Sequence, residues 1–315
     1  MFRTAVSEKA LLTPETRHLK PIQLTLCIKK YLNPKGGYPV RWRIGIKEAD
    51  MVKQDIIKSL GASFSNAFYS RKFDGDPKFP IDALSLDEAY RIQDEAIRLR
   101  MEKGEQIVGY KIGCTSRAIQ QQFGLKEPIN GRLMSPHVYM ETDCKSVNRN
   151  RFLNCAIEPE MVFRIGRDLD GRDLARDDLI RSIEYVSPGI EIHHFKFWHQ
   201  TPTSQELIAA NGIHAALAIG SSKVSPDALD FKTEGFRVYA DRVHVTSGNA
   251  SEIMGDPIRS LNWLVKHLAK RGERLKAGQW VIPGSPVELV EIKHDTWLEI
   301  EIDRVGNLEV QFASE

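Results

Sequence analysis

One short segment constrains this chain more than any other: Ala156-Ile157-Glu158-Pro159-Glu160-Met161-Val162-Phe163. In a strand, successive side chains face opposite ways, so Ile157, Met161 and Phe163 share one side and Glu158 and Glu160 the other. Two carboxylates one pleat repeat apart repel, and each raises the other's pKa unless a cation sits between them. A hard divalent ion removes that repulsion. Pro159 cannot donate to a sheet ladder, so the segment is expected at an edge or a bulge, where side chains are aimed at sites. Taken alone, Glu-x-Glu is more often the solvated face of a half-buried strand. Two features argue against that here. The strand is otherwise strongly apolar, and Gly189-Ile190-Glu191-Ile192-His193 repeats the pattern, with Ile190 and Ile192 on one face and Glu191 and His193 on the other. Three carboxylate ligands favour Mg²⁺ or Mn²⁺. His193 or His194, as a further ligand, would shift the preference toward Mn²⁺, Fe²⁺ or Zn²⁺; either is also a candidate base.

Around this segment the chain has ordinary globular proportions. It has 315 residues, 42% hydrophobic and 27% charged, enough for one large domain or two modest ones. No run approaches the ~18 apolar residues that span a bilayer, and the N-terminus lacks a secretory apolar core. The four cysteines are far apart in sequence and form no C-x-x-C. A cytoplasmic protein with reduced thiols is expected, without membrane contact. Charge is uneven: residues 1–47 carry ten Lys/Arg against two acids, and residues 48–315 carry 34 against 40. The basic front end reads as a poorly ordered extension; nucleic-acid contact is the weaker reading.

The texture changes along the chain. Residues 1–46 show no sustained period, though KPIQLTLCIKKYL (20–32) has strand or short-helix character. EADMVKQDIIKSL (48–60) is helical in pattern, and FDGDPKFP (73–80) is a loop. Ser85 and Glu88 form a capping box before a helix whose Ala89, Ile92, Ala96 and Leu99 share a face. A strand over IVGYKIGC (107–114) and a short helix closed by Gly124 follow. From residue 153 the chain is mainly β, with a hairpin turning near Asp241. One strong helix interrupts it, with Asp256 as N-cap and Pro257 in its first turn. Helices first, then a long β-rich body, is an α+β pattern and not a doubly wound one. The expected organisation is a basic extension (1–46), a helical lead-in (47–80) and a catalytic domain (81–315).

No G-x-S-x-G elbow, P-loop or H-E-x-x-H occurs. Instead, several stretches in order resemble the fumarylacetoacetate hydrolase superfamily, and within it the 2-hydroxypenta-2,4-dienoate (2-keto-4-pentenoate) hydratase and 4-oxalocrotonate decarboxylase branch. They are V-G-Y-K-I-G-C-T-S (108–116), Q-Q-Q-F-G (120–124), I-E-P-E-M-V-F-R-I-G-R-D-L (157–169), G-D-P-I-R-S-L-N-W-L (255–264) and L-K-A-G-Q-W-V-I-P-G-S (275–285). The resemblance runs from about residue 81 to the C-terminus. It implies a mixed β-roll core behind a helical N-terminal region, and Mg²⁺ or Mn²⁺ held by Glu158, Glu160 and Glu191. The family's site lysine falls on Lys111 and its Gly-Ser turn on Gly284-Ser285.

Lys111, flanked by Gly109 and Gly113, is a cation able to orient a carboxylate or enolate. His193 and Ser285 join it as catalytic candidates. Gln205, Asn211, Gly284 and Asn130 are substrate-binding candidates, and Phe195, Phe197 and Trp198 a pocket wall or lid. The expected partner is a small 2-oxo or 2-hydroxy-dienoic acid, chelated through its carboxylate and 2-oxygen. A homo-oligomer is expected. Hydration, decarboxylation and C–C hydrolysis of acylpyruvates all pass through an enolate, so the three acids do not distinguish them. The neighbours differ from family hydratases: where those tend to show an acidic residue before F-G this chain reads Glu127-Pro128-Ile129-Asn130-Gly131, His193-His194-Phe195-Lys196 stands where D-S-R is common, and Asn211-Gly212-Ile213-His214 replaces Asn-Ala-Ser-Ser. Hydratase chemistry is the leading expectation. A decarboxylase, a C–C hydrolase and a non-catalytic scaffold subunit remain alternatives.

Overall fold

The capping box at Ser85 starts the helix it predicts: its hydroxyl accepts from Glu88 N–H, and the Glu88 carboxylate accepts from Ser85 N–H. A computed structural model describes residues 41–72, 81–171, 174–194 and 201–315. The expected strand or helix at 20–32, the loop at 73–80 and the aromatic cluster at 195–198 lie outside the described residues. Contacts divide the chain into Met1–Gln54 and Asp55–Glu315. Helix α1 (Arg41–Ser70) is longer at both ends than its sequence pattern suggests. In the second unit its Ile57, Leu60, Phe64 and Ala67 pack with Ile92 and Ala96 of α2 (Leu86–Glu102), and tertiary burial of this kind extends helices past their local signals. Short helices α3 (Arg117–Gln122), α4 (Arg176–Ile180) and α5 (Ser204–Ala209) precede α6 (Pro257–Lys270). No helix among the described residues is long and apolar enough to cross a membrane. Cys114, Cys144 and Cys155 are free thiols.

The strands, in chain order, are β1 (Gln106–Gly113), β2 (Ile129–Ser135), β3 (Val138–Met140), β4 (Ser146–Asn148), β5 (Cys155–Ile165), β6 (Ile183–His194), β7 (His214–Ile219), β8 (Gly235–Ala240), β9 (Val243–Asn249), β10 (Trp280–Ile282), β11 (Val290–Glu291), β12 (Thr296–Ile302) and β13 (Gly306–Ala313). They form two mixed sheets. The larger runs β2-β1-β10-β5-β6-β7-β3 with β11 also on β5, and the smaller runs β4-β13-β12-β8-β9. Asp241 and Arg242, both at positive φ, make the two-residue turn between β8 and β9. The α+β expectation is met.

The alternation read in sequence sets the two faces of the larger sheet. Ile157, Met161, Phe163, Ile190 and Ile192 join Val238, Ile300 and Phe312 of the smaller sheet and Leu261, Leu264 and Leu268 of α6 in one apolar cluster. The opposite face carries Leu133, Val162, Leu217, Ile219, Trp280 and Ile282. By strand alternation it also carries Lys111, Glu158, Glu160, Glu191 and His193.

One expectation is corrected. β5 is not an edge strand: it pairs with β6 along its whole length, and on its other flank with β10 at Phe163–Arg164 and with β11 at Ala156–Ile157. Pro159 falls in the interval that neither β10 nor β11 pairs. A missing N–H is tolerated where one flank of a strand carries no ladder.

One edge of the larger sheet, β2, is covered by side chains. Asn130 N–H donates to Tyr90 Oη (3.3 Å), Gln93 Nε2 donates to the Asn130 carbonyl (2.9 Å), and Asn211 donates to and accepts from the Arg132 backbone (2.9 and 2.7 Å). These bonds satisfy the row of backbone groups that an edge strand leaves open.

The packing of α6 yields a pH prediction. His267 stacks on Trp263 at 4.8 Å and lies 4.9 Å from Tyr90. Burial, then the Arg271 charge, lowers its pKa to about 4, overriding the helix C-terminus, which favours the cation. In the unfolded chain a histidine titrates near 6.5. Between those values the unfolded state binds more protons, so stability rises with pH. The contribution is complete above about pH 6.5 and is lost as pH falls toward the folded value. His267→Phe keeps the ring stack without the titration. Urea unfolding of the variant should lose less stability between about pH 7 and pH 5 than wild type, by at most about 1.4 kcal/mol per pH unit.

Candidate metal centre

Three strands and one loop bring the site together. β5 and β6 are in register at Glu158↔Glu191 and Glu160↔Gly189, so the acids of the two strands stand on one face. Lys111 comes from β1, which reaches β5 through β10. Gly109 permits that arrangement, because a Cβ there would lie 2.1 Å from the Trp280 carbonyl oxygen. The turn after β10 supplies Gly284, whose N–H donates to Glu160 Oε2 (3.1 Å). Its φ of +119° suits only glycine, and an added Cβ would meet the Thr115 side chain at 2.7 Å.

The centre is buried and crowded with charge. Glu160 and Glu191 are fully buried, Lys111 and His193 nearly so, and only Glu158 is partly exposed, its side chain 22% accessible. Lys111 Nζ lies 2.9 Å from Glu191 Oε1 and donates to the Gly212 carbonyl (3.3 Å). His214 Nδ1 also binds Glu191 Oε1, at 2.8 Å. His193 Nε2 stands 3.0 Å from Glu158 Oε2 and 3.6 Å from Glu191 Oε2, yet neither ring nitrogen makes a hydrogen bond. Glu160 Oε1 and Glu191 Oε2 are likewise buried without a hydrogen-bond partner.

Electrostatics divide the acids into two kinds. Burial, then the charges of Glu191 and Glu158, pushes the Glu160 carboxyl well above the usual carboxylate range. Burial would raise Glu191 too, but Lys111, His193 and the His214 bond outweigh it and hold Glu191 below that range. Burial alone would lower Lys111; the opposing charges of Glu191, Glu158 and Glu160 keep it above the ordinary lysine value. Burial brings His214 down to about 4 despite its bond to Glu191. The ring is therefore neutral near pH 7, and Nδ1 donates to the carboxylate.

A divalent cation fits these residues. Orphaned carboxylate oxygens face a bare imidazole, and excess negative charge lies behind a single ammonium. Glu158, Glu191 and His193 each place one donor atom within 4.8 Å of the others. Glu160 stands beside this group with one oxygen already bound to Gly284. A cavity of about 480 Å³ opens between the β8–β9 hairpin and residues 288–294, and no member of the cluster lines it.

Of the residues singled out in sequence, Lys111, Glu158, Glu160, Glu191, His193 and Gly284 converge. Ser285 stands next to Gly284, its hydroxyl accepting from Val287 N–H (3.3 Å). Two substrate-binding candidates, Asn211 and Gln205, have side chains hydrogen-bonded within the fold, and a third, Asn130, lies behind the sheet with its Oδ1 making no hydrogen bond among the described residues. Asn211 seals the β2 edge. Gln205 Nε2 donates to the Leu84 carbonyl (2.9 Å). Asn130 is in register with Ile112, on the face opposite Lys111. His194 packs its ring against Phe68, 5.2 Å between centroids, and its Nδ1 accepts from Leu153 N–H (3.1 Å). The residue that sequence reasoning missed as a site group is His214. It opens the apolar strand HAALAI, and its place at the end of the altered Asn211–His214 stretch was the signal that could have marked it.

No family model matches the chain. It is 27% identical over 254 residues to the 2-keto-4-pentenoate hydratase of Paraburkholderia xenovorans (strain LB400), covering 79% of this chain and 94% of that one. Its fold is that of the 4-oxalocrotonate decarboxylase from Pseudomonas putida G7, solved with magnesium and adipate: TM-score 0.77, 24% identity, 82% of this chain and 98% of that one. A fumarylpyruvate hydrolase from Pseudomonas aeruginosa, solved with Mn²⁺ and pyruvate, is more distant: TM-score 0.51, 15% identity, 65% of this chain and 89% of that one. The resemblance to 2-keto-4-pentenoate hydratases and 4-oxalocrotonate decarboxylases is borne out in sequence, and the fold is shared with a fumarylpyruvate hydrolase.

The β2 seal makes a prediction about Asn211. Asn211→Ala leaves the buried Arg132 N–H and C=O unpaired and should cost about 2–4 kcal/mol in urea unfolding. A substrate contact would instead raise KM with the unfolding midpoint unchanged.

Proposed function

We propose that the chain is a divalent-metal-dependent hydratase of 2-hydroxy-2,4-dienoic and 2-keto-4-enoic acids, of the kind used in aromatic meta-cleavage catabolism. The observation that carries this reading is the largely buried cluster in which Glu158, Glu160, Glu191 and Lys111 share one sheet face. The likeness to named hydratases over most of the chain supports it. We assign the catalysis to residues 81–315, since every converging residue lies there.

Glu158, Glu191 and their neighbours would hold Mg²⁺ or Mn²⁺. Such an ion, when bound, supplies positive charge that polarises a 2-oxo acid through its carboxylate and 2-oxygen. The chain's own groups do the rest. Lys111, locked between Glu191 and the Gly212 carbonyl, keeps its proton and offers a fixed cation to an anionic enolate. Val287 N–H holds the Ser285 hydroxyl beside Gly284, where its O–H would donate to a substrate carboxylate. Burial around Lys111 and Glu191 excludes bulk water and strengthens these interactions.

A specific observation favours decarboxylation as the second reading. Ile129, on the Lys111 face at the end of β2, is buried among Leu125, Leu207 and Ile208, where an acid would have offered a proton-transfer group. Loss of CO₂ needs no acid to add water.

Assays with 2-hydroxypentadienoate, 4-oxalocrotonate and acylpyruvates, following enol absorbance and CO₂, separate the two chemistries. Water addition without CO₂ is the expected outcome, and CO₂ release in preference to hydration sinks the hydratase reading. Glu160→Gln keeps the shape and the acceptor for Gly284 N–H, so the fold should persist. Its metal-dependent turnover should fall by at least about a hundredfold. Full activity in that variant would overturn the proposed centre.

A further inference from the structure

On the reading that the acid cluster binds a divalent cation, we propose that His193 is itself a ligand, beside Glu158 and Glu191. The site is then a mixed nitrogen–oxygen centre that takes Mn²⁺ or a later first-row ion in preference to Mg²⁺.

Three observations carry this. The first is spacing. Donor atoms about 2.1 Å from one ion and at right angles lie about 3.0 Å apart. His193 Nε2 is 3.0 Å from Glu158 Oε2 and 3.6 Å from Glu191 Oε2, and all three residues place a donor within 4.8 Å of the others. The second is unspent bonding capacity. His193 is 2% exposed, and neither Nδ1 nor Nε2 makes a hydrogen bond. A buried polar group without a partner is rare and points to an absent one. Its contact with Glu158 has the distance of an ion pair without the alignment of a hydrogen bond. The third is the way Glu191 is divided. Lys111 and His214 both bind Oε1, leaving Oε2 unpartnered on the side of His193. Glu160, with one oxygen on Gly284 N–H, is not among the three.

The chemical consequence follows from ligand type. Carboxylate and water oxygens suit Mg²⁺, whereas an imidazole nitrogen adds affinity for Mn²⁺, Fe²⁺, Co²⁺ and Zn²⁺. A strand that places Glu191 and His193 two residues apart presents both to one ion, because both leave the sheet on the same face.

The test reads the ligand directly. The full chain is loaded with Mn²⁺ and examined by pulsed electron paramagnetic resonance, which detects ¹⁴N coupling from a directly bound imidazole. Coupling is expected in wild type, to be retained in His214→Asn and lost in His193→Gln. Competition by Mg²⁺ against bound Mn²⁺ should become at least about tenfold more effective in His193→Gln. If that variant fails to fold, ¹⁵N-histidine labelling of wild type decides the matter, since a histidine ligand changes the modulation pattern. Mn²⁺ bound without nitrogen coupling, or coupling lost in His214→Asn and kept in His193→Gln, overturns the proposal and leaves the metal-centre reading standing. No bound ion at millimolar Mn²⁺ or Mg²⁺ overturns both.

Discussion

Three carboxylates and one ammonium share a face of the larger sheet, and two of those acids are wholly out of water. Removing a charge from water costs several kcal/mol even after the protein relaxes, and only close, well-placed opposite charge offsets it. Lys111 does this for Glu191 at 2.9 Å, with His214 adding a hydrogen bond to the same oxygen. It cannot do so for Glu158 and Glu160 as well. The charge left over is what makes the face a cation site and not a core. Glu160 Oε1, Glu191 Oε2 and the His193 ring nitrogens make no hydrogen bond among the described residues.

The sheet is built to deliver that face. The same strands that carry the acids outward carry Ile157, Met161, Phe163, Ile190 and Ile192 inward against the smaller sheet and α6. The apolar side holds β5 and β6 in register, and register fixes Glu158 opposite Glu191. A slip of one residue would exchange the faces and bury the isoleucines among the acids, so core packing and site geometry are one constraint. Pro159 belongs to the same design. It stands where β10 has ended and β11 has not begun, and the turn carrying Gly284 reaches Glu160 beside it.

Much of this was legible in the chain itself. Alternation assigned Glu158, Glu160, Glu191 and His193 to one face, because a strand's period of two needs no tertiary information. The capping box at Ser85, the Pro257 helix start and the turn at Asp241 are local signals and were met. Asn211 and Gln205 are ambiguous in sequence for the opposite reason. A polar side chain near a strand start looks the same whether it meets a ligand or closes an edge, and Asn211 closes β2 from about 80 residues away. For Asn130 it is register that only the fold reveals: pairing with Ile112 puts it on the face opposite Lys111.

The sequence alone determined which residues alternate, where helices begin and that three acids stand on strands whose other face is apolar. Those are consequences of backbone periodicity. The tertiary structure decided how the acids divide their roles: Glu191 held charged by Lys111 and His214, Glu160 turned toward Gly284, and His193 set among them with neither nitrogen hydrogen-bonded among the described residues. It also placed β5 inside the sheet and not at its edge. These outcomes depend on which distant strands become neighbours and on how deeply each charge is buried. Both arise only when the chain has packed.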